Sequence, residues 1–138
     1  MSEQDNVEIV KQSFVAFQRG DMQTVLNLCA DDIEFRHPMS TAIWPWAGQH
    51  RGRAQLAALA AGFWEVEEFE QFEPQEFIAQ GDTVVAIGVY SGVAKANGQR
   101  ARSDWAMVFN LRDGKVARFR EFCDCAALVR AHGGVLVS

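Results

Sequence analysis

Three two-residue turn signals divide the second half of this chain into strands. Gly81-Asp82, Asn97-Gly98 and Asp113-Gly114 are dipeptides that favour the tight connections of β-hairpins. The segments that they separate predict long strands at Thr83–Ala94, 99–111 and Lys115–Cys123. Because successive hairpins place each strand beside the next, the sequence predicts a meander of antiparallel strands.

The first half of the chain has the apolar periodicity of helices. Val7, Val10, Phe14 and Phe17 recur at spacings of three and four, which predicts a first helix ending at Gly20. Asp21 is a candidate N-cap for a second helix. A third apolar stripe between residues 56 and 63 predicts another helix, ending near residues 62–64.

Shorter elements complete the pattern. Residues 33–37 alternate as a short strand closed by Pro38, and Asp124 is expected to cap a final short helix closed at Gly133. The order helix, helix, strand, helix and meander predicts an α+β fold with its helices on one side of a curved sheet. We expect one domain over residues 1–138, since the chain is 49% hydrophobic and too short for two domains of ordinary size.

Two stretches resist a simple assignment. Trp44 and Trp46 lie in an irregular segment that is too aromatic for a plain solvent loop, and they predict a flap over something apolar. Residues 65–76 are rich in glutamate, and their strand register stays open. The simplest interpretation of this second stretch is a solvated acidic edge strand.

Charge and cysteine content narrow the partners and the compartment. A formal net charge of −5 argues against a nucleic acid or an anionic membrane surface as the partner. No apolar run reaches the roughly 18 residues of a membrane span, and the polar N-terminus does not look like a signal peptide. Three cysteines fit free thiols in a reducing compartment, so we expect a cytoplasmic protein. Cys123-x-Cys125 has no second ligand pair, so no metal site is expected.

The last predicted strand carries an unusual carboxylate, Glu121. Alternation along the strand places it on one face with Ala117, Phe119 and Cys123, and places the arginines on the other face. A carboxylate among small, aromatic and thiol side chains is poorly solvated, as general acids and bases often are. The alternative is that Glu121 lies at an open end of the strand or pairs with an arginine.

Neighbouring strands supply further candidate residues on the same face. If Glu121 points inward, the preceding strand turns in Ser103, Trp105, Met107 and Phe109. Such a set is usually core, but with a carboxylate and an aromatic flap it also describes an apolar ligand pocket. Tyr90 shares its face with two glycines, which either relieve sheet curvature or leave room for a ligand.

Several runs together resemble SnoaL-like proteins. They are Gly20-Asp21, Ala30-Asp-Asp-Ile-Glu-Phe-Arg-His-Pro38, Ala47-Gly-x-x-Arg-Gly52 and Asp113-Gly-Lys-Val-x-x-Phe-Arg-Glu-Phe-x-Asp124. This family belongs to the superfamily of ketosteroid isomerase, limonene epoxide hydrolase, scytalone dehydratase and nuclear transport factor two. The resemblance implies a cystatin-like cone, in which a curved antiparallel sheet wraps over three N-terminal helices around a deep pocket. It also implies a homodimer packed through the outer face of the sheet.

The resemblance assigns candidate roles by position. Glu121 falls where epoxide hydrolases of the superfamily place a catalytic aspartate. His37 falls where ketosteroid isomerases place a general base and epoxide hydrolases a water-holding asparagine, so its imidazole could serve as either. Tyr90 and Gly88 stand at the positions of the Asp and Arg of the epoxide hydrolases. Epoxide hydrolysis by that route is therefore not expected.

The oxyanion donors of ketosteroid isomerases are not retained either. Ser13 and Trp105 stand at the positions of their tyrosine and aspartate, so faithful steroid isomerisation is not expected. We expect a polyketide cyclase-like or isomerase-like pocket protein for a hydrophobic, carbonyl-bearing small molecule, working without a cofactor if it is an enzyme. The alternative is a non-catalytic binding or dimerisation module.

The predicted site has two parts. His37 or Glu121 would move a proton, and Tyr90 or Trp105 Nε1 would stabilise negative charge on the substrate oxygen. The substrate-binding residues are expected to be Phe35, Trp44, Trp46, Ser103, Trp105, Met107, Phe109, Phe119 and Cys123.

Overall fold

A computed structural model describes residues 2–39, 41 and 47–133 of the chain. Its helices are α1 (Glu3–Gln18), α2 (Met22–Asn27), α3 (Arg53–Val66) and α4 (Cys125–Ala131). Its strands are β1 (Cys29–His37), β2 (Gly48–Arg51), β3 (Glu67–Gln80), β4 (Thr83–Ala94), β5 (Arg100–Arg112) and β6 (Lys115–Cys123). The order of elements gives the predicted α+β fold, with three helices before the meander and a short helix after it.

The six strands form one curved open sheet in the order β2-β1-β6-β5-β4-β3. The meander from β3 to β6 is antiparallel throughout, as the turn signals predict. The pairing of β1 with β6 is parallel, and the register places Phe35 beside Phe119 and Arg36 beside Arg120. One step further along the same register, His37 comes next to Glu121.

The turns and caps follow the sequence closely. Asp113 has φ +52°, and Gly81, Gly98 and Gly114 also have positive φ, as the hairpin dipeptides require. Asp21 caps α2, and Asp124 caps α4 by accepting from the backbone N–H of Ala127. These side chains fix where the two short helices begin.

The structure corrects several element boundaries. β1 begins at Cys29, four residues before the predicted strand, and β5 is displaced by one residue from the predicted 99–111. α3 continues to Val66, so Gly62 lies inside the helix and not at its end. The short strand β2 was not predicted, because its four residues carry no apolar alternation.

Alternating burial defines the inner face of the sheet. In β4 every second residue from Val84 to Ala94 is buried, and β5 buries Ser103, Trp105 and Phe109 on the same side. Helix α1 packs on this face through Val10 and other apolar side chains of the core. The core therefore lies between the helices and the concave face of the sheet. Within the described residues, no helix is both long enough and apolar enough to cross a membrane.

Candidate functional site

A cavity of about 130 Å³ opens between the helices and the inner face of the sheet. Its wall includes most of the side chains predicted to face inward: His37, Tyr90, Ser103, Trp105, Met107, Phe109, Phe119, Glu121 and Cys123. The register explains this arrangement, since Met107 pairs with Glu121, Trp105 with Cys123 and Phe109 with Phe119. Cross-strand partners point to the same face, so these six side chains lie together.

The shortest polar contact in the cavity joins His37 to Glu121. His37 Nε2 lies 2.5 Å from Glu121 Oε2, and the two side chains are only 13% and 12% exposed. The backbone N–H of Met39 donates to His37 Nδ1 at 3.2 Å. Because Nδ1 accepts this bond, a neutral imidazole carries its proton on Nε2 and donates it to the carboxylate. His37 thereby orients the Glu121 carboxylate.

Trp105 lines the cavity, and its indole N–H is buried. Its indole lies between two phenyl rings, with ring centroids 5.4 Å from Phe14 and 5.1 Å from Phe72. Its Nε1 is buried and has no hydrogen-bond partner among the residues that the structure describes. A buried donor without a partner is costly, and a ligand acceptor would remove that cost.

Tyr90 lines the same cavity, but its proton is already committed. Its hydroxyl donates to Glu67 Oε2 at 2.7 Å. Burial, with the hydrogen bond to Glu67 as the second cause, strongly raises the pKa of the Tyr90 phenol. The predicted role of Tyr90 as a donor to a substrate oxygen therefore conflicts with this geometry.

Glu67 and His132 are polar residues of this region that the sequence did not indicate. Glu67 is the first residue of β3 and is fully buried, so the predicted solvated acidic strand is wrong at this position. Its second oxygen, Oε1, is hydrogen-bonded to His132 Nε2, just after α4. Glu67 directly follows the last residue of α3, so the sequence does not show whether the helical or the strand period decides which face it occupies.

The two glycines of β4 make room for neighbouring atoms of the protein. A Cβ atom at Gly88 would lie 2.1 Å from the Glu73 carbonyl oxygen and 2.5 Å from Trp105 Cζ2, and one at Gly92 would lie 2.1 Å from the Tyr90 hydroxyl oxygen. Neither glycine is part of the cavity wall. Both are therefore needed for the positions of Trp105 and Tyr90.

The serines of the wall already have backbone partners. Ser103 Oγ donates to the Asp104 carbonyl at 2.7 Å and accepts from the Asp124 N–H at 2.8 Å. Ser13 Oγ donates to the Val10 carbonyl at 2.6 Å. Both hydroxyl protons are therefore already donated to backbone carbonyls. Ser103 lines the cavity, and its role in ligand binding stays a prediction.

Two predicted contacts differ in their placement. Phe35 is 1% exposed and lies one layer behind the wall, stacked on Phe119 with a centroid distance of 5.4 Å. It packs behind Phe119 and is not among the residues that line the cavity, and its assignment to substrate binding stays a prediction. Trp44 and Trp46, the predicted flap, lie outside the described residues.

Comparison with known proteins identifies the family. The model of the SnoaL-like domain matches residues 10–119, and the chain belongs to this family. Within the described residues, no group of three or more His, Cys, Asp or Glu side chains is arranged to hold a metal ion. Comparison with the curated proteins finds no significant match.

Solved structures resemble the chain over nearly its whole length. An NTF2-like protein from Burkholderia xenovorans LB400 is 42% identical, with 96% of this chain and 98% of that chain covered and a TM-score of 0.86. An NTF2-like protein of unknown function from Burkholderia pseudomallei K96243 is 26% identical, with coverages of 95% and 98% and a TM-score of 0.83. TerC, co-crystallized with polyporic acid, is 26% identical, with coverages of 94% and 99% and a TM-score of 0.82.

Proposed function

We propose that this protein binds a hydrophobic, carbonyl-bearing small molecule and catalyses cofactor-free proton transfer on it, as an isomerase, cyclase or dehydratase. The observation that carries the proposal is the His37–Glu121 contact of 2.5 Å in the wall of an otherwise apolar cavity. Groups that are poised to move protons typically lie in such settings.

Glu121 is the general base of this proposal. His37 contacts Oε2 of the Glu121 carboxylate. No other described residue forms a hydrogen bond with this carboxylate, so Oε1 is available to a ligand proton. His37 itself is bonded on both ring nitrogens, to Met39 and to Glu121. It therefore acts as the positioning residue that holds the carboxylate and stabilises its charge.

Trp105 completes the site as the donor for developing negative charge. It lies one inward-facing position along β5 from Met107, the cross-strand partner of Glu121. Two residues of a strand span about 7 Å, a distance that a carbonyl group and its adjacent carbon can bridge together with their contacts. A neutral indole N–H of this kind stabilises an enolate oxygen without proton transfer.

The proposed reaction proceeds in two proton transfers. Glu121 removes a proton from the carbon next to the carbonyl, the C–H electron pair forms the enolate, and Trp105 Nε1 donates a hydrogen bond to the oxygen. The carboxylic acid then returns the proton at another carbon, or to a leaving hydroxyl that departs as water. The enzyme ends in its starting state, so no oxidant or cofactor is consumed.

The apolar wall supports a flat, conjugated ligand. Phe14, Phe72 and Trp105 form a stack, and Met107 and Phe109 extend the apolar surface toward the acid. Flat, conjugated molecules bury the most area against such rings. The polyporic acid complex of TerC supports a small organic ligand for this fold, which we extend to the present chain.

Trp105→Phe is expected to lower kcat by about a hundredfold, because it deletes one preorganised donor and keeps an aromatic ring in the stack. The rate of enolisation of an aryl β-diketone, followed by absorbance, measures the effect. Trp64→Phe is the matched control, since Trp64 stacks on Phe17 and is not part of the cavity wall. A loss confined to KM, or equal rates in both variants, would exclude Trp105 as the donor.

We further propose that the protein is a homodimer through the outer face of the sheet, in the cytoplasm. Val85, Ile87, Val89 and Val108 are only partly buried on that face, and Phe122 is 42% exposed. A contiguous apolar patch of this kind is unfavourable in water and is a typical protein interface.

The free thiols of Cys29, Cys123 and Cys125 support a reducing compartment.

Phe122→Asp is expected to convert the dimer to monomers, because it buries a charge in the interface. Light scattering should give about twice the chain mass of 15.4 kDa for the wild type and about that mass for the variant. Val15→Asp is the control, since Val15 is 46% exposed on α1, away from the sheet's outer face. A wild-type mass of one chain at micromolar concentration would contradict the dimer.

A further inference from the structure

Two cysteines meet where the sheet ends and the last helix begins. Cys123 is the final residue of β6, Cys125 is the first residue of α4, and their Sγ atoms lie 3.8 Å apart. Both side chains are partly buried, and Cys123 also lines the cavity. The proposed proton-transfer chemistry uses neither thiol.

The backbone between the two cysteines favours their approach. Asp124 has φ −78° and ψ 85°, close to an inverse γ-turn, the tightest common reversal of the chain. Its N–H donates to Ser103 Oγ at 2.8 Å, and its carboxylate accepts from the Ala127 N–H at 3.1 Å. The turn is therefore held at both sides, with the two Sγ atoms in contact.

We propose that Cys123 and Cys125 are an oxidation site that closes to a reversible intramolecular disulfide when the protein meets a peroxide. A disulfide requires a sulfur separation of about 2.05 Å, so the observed 3.8 Å must shorten by about 1.75 Å. Rotation about the side-chain bonds of two cysteines in contact supplies a shift of this size. Disulfides of reducing compartments are typically transient ones of this kind.

The chemistry assigns different roles to the two thiols. Burial, followed by the charge of Glu121, raises the pKa of the Cys123 thiol, so Cys123 remains protonated and is a poor first nucleophile. Cys125 attacks hydrogen peroxide, the O–O bond breaks, and one water leaves with formation of a sulfenic acid. The Cys123 sulfur then attacks the sulfenic sulfur, the S–S bond forms as the S–O bond breaks, and the Cys123 thiol proton leaves with the hydroxyl as a second water. The two thiols lose two electrons and the peroxide gains them.

Peptide mapping of the full chain tests the proposal. Cleavage after Arg120 and Arg130 places both cysteines in one peptide of residues 121–130, and Cys29 in another. After hydrogen peroxide and alkylation of the remaining thiols, we expect that peptide to be unalkylated and about 2 Da lighter than its reduced form. Dithiothreitol should restore both alkylation sites, and Cys29 should stay alkylated throughout.

Variants keep the test decisive. Cys29→Ser should still form the disulfide, and Cys125→Ser should not. Cys123→Ser should accumulate a sulfenic acid on Cys125 that dimedone traps, whereas in Cys125→Ser the trapping at Cys123 should be slower. Full alkylation of residues 121–130 after peroxide, stable sulfinic acid there, or linkage to a second chain in the wild type would overturn the proposal.

Discussion

Glu121→Gln is expected to slow turnover by roughly 10²–10⁴-fold and to leave the fold and ligand affinity largely unchanged. The amide is nearly isosteric with the carboxylate and can accept the His37 Nε2–H bond that now spans 2.5 Å, but it cannot accept a substrate proton. Single-turnover enolisation of an aryl β-diketone measures the rate, and titration of the same probe by tryptophan fluorescence measures affinity.

His37→Ala separates the base from the residue that positions it. This variant keeps the Glu121 carboxylate but removes the donor to Oε2, so we expect a smaller loss of rate than in Glu121→Gln, with a changed pH profile. Glu68→Gln is the matched control for the acid, since Glu68 is exposed on β3. Wild-type rates in both site variants would remove the two residues from the mechanism.

Glu67→Ala is expected to lower the free energy of unfolding by roughly 3–5 kcal/mol, the cost of breaking a buried ionic or hydrogen-bonded pair. It leaves the Tyr90 hydroxyl, now 2.7 Å from the carboxylate, without its acceptor, and it removes a partner of His132. The side chain is fully buried, so water cannot readily replace these bonds.

Urea unfolding of Glu67→Ala and Glu68→Ala measures the difference. Glu68 is the adjacent residue on the exposed face of β3, and its substitution should change the free energy of unfolding by about 0.5 kcal/mol or less. Equal stability of the two variants would show that the buried contact of Glu67 with Tyr90 does not stabilise the fold.

The meander could be predicted because its turns and strands are set by residues close together in the sequence. Asn97-Gly98 and Asp113-Gly114 dictate tight turns, and once the turns are placed, the period of two along a strand decides which side chains face inward. The same period predicts Glu121 on the face of Phe119 and Cys123, and all three side chains line the cavity. The family resemblance supplied the cone and the position of His37.

The remaining features depend on contacts between distant segments. The change from α3 to β3 falls at Val66 and Glu67, so the period of two could not be assigned from Glu67 onward and could not separate buried Glu67 from its exposed neighbours. The Tyr90 hydroxyl donates its hydrogen bond to Glu67, 23 positions away in the chain. Sequence periodicity predicts the face of a side chain, but the partner of its polar atom is decided by tertiary packing.

Solvent deuterium exchange at a substrate carbon shows directly whether Glu121 transfers a proton. In D₂O, the wild-type protein should accelerate loss of the α-proton NMR signal of a bicyclic aryl ketone such as 1-indanone, because Glu121 would remove that proton and return a deuteron. Glu121→Gln should reduce the rate to that of buffer, and Glu68→Gln should match the wild type. Binding of the ketone without exchange above the buffer rate would contradict proton transfer and support a non-catalytic binding module.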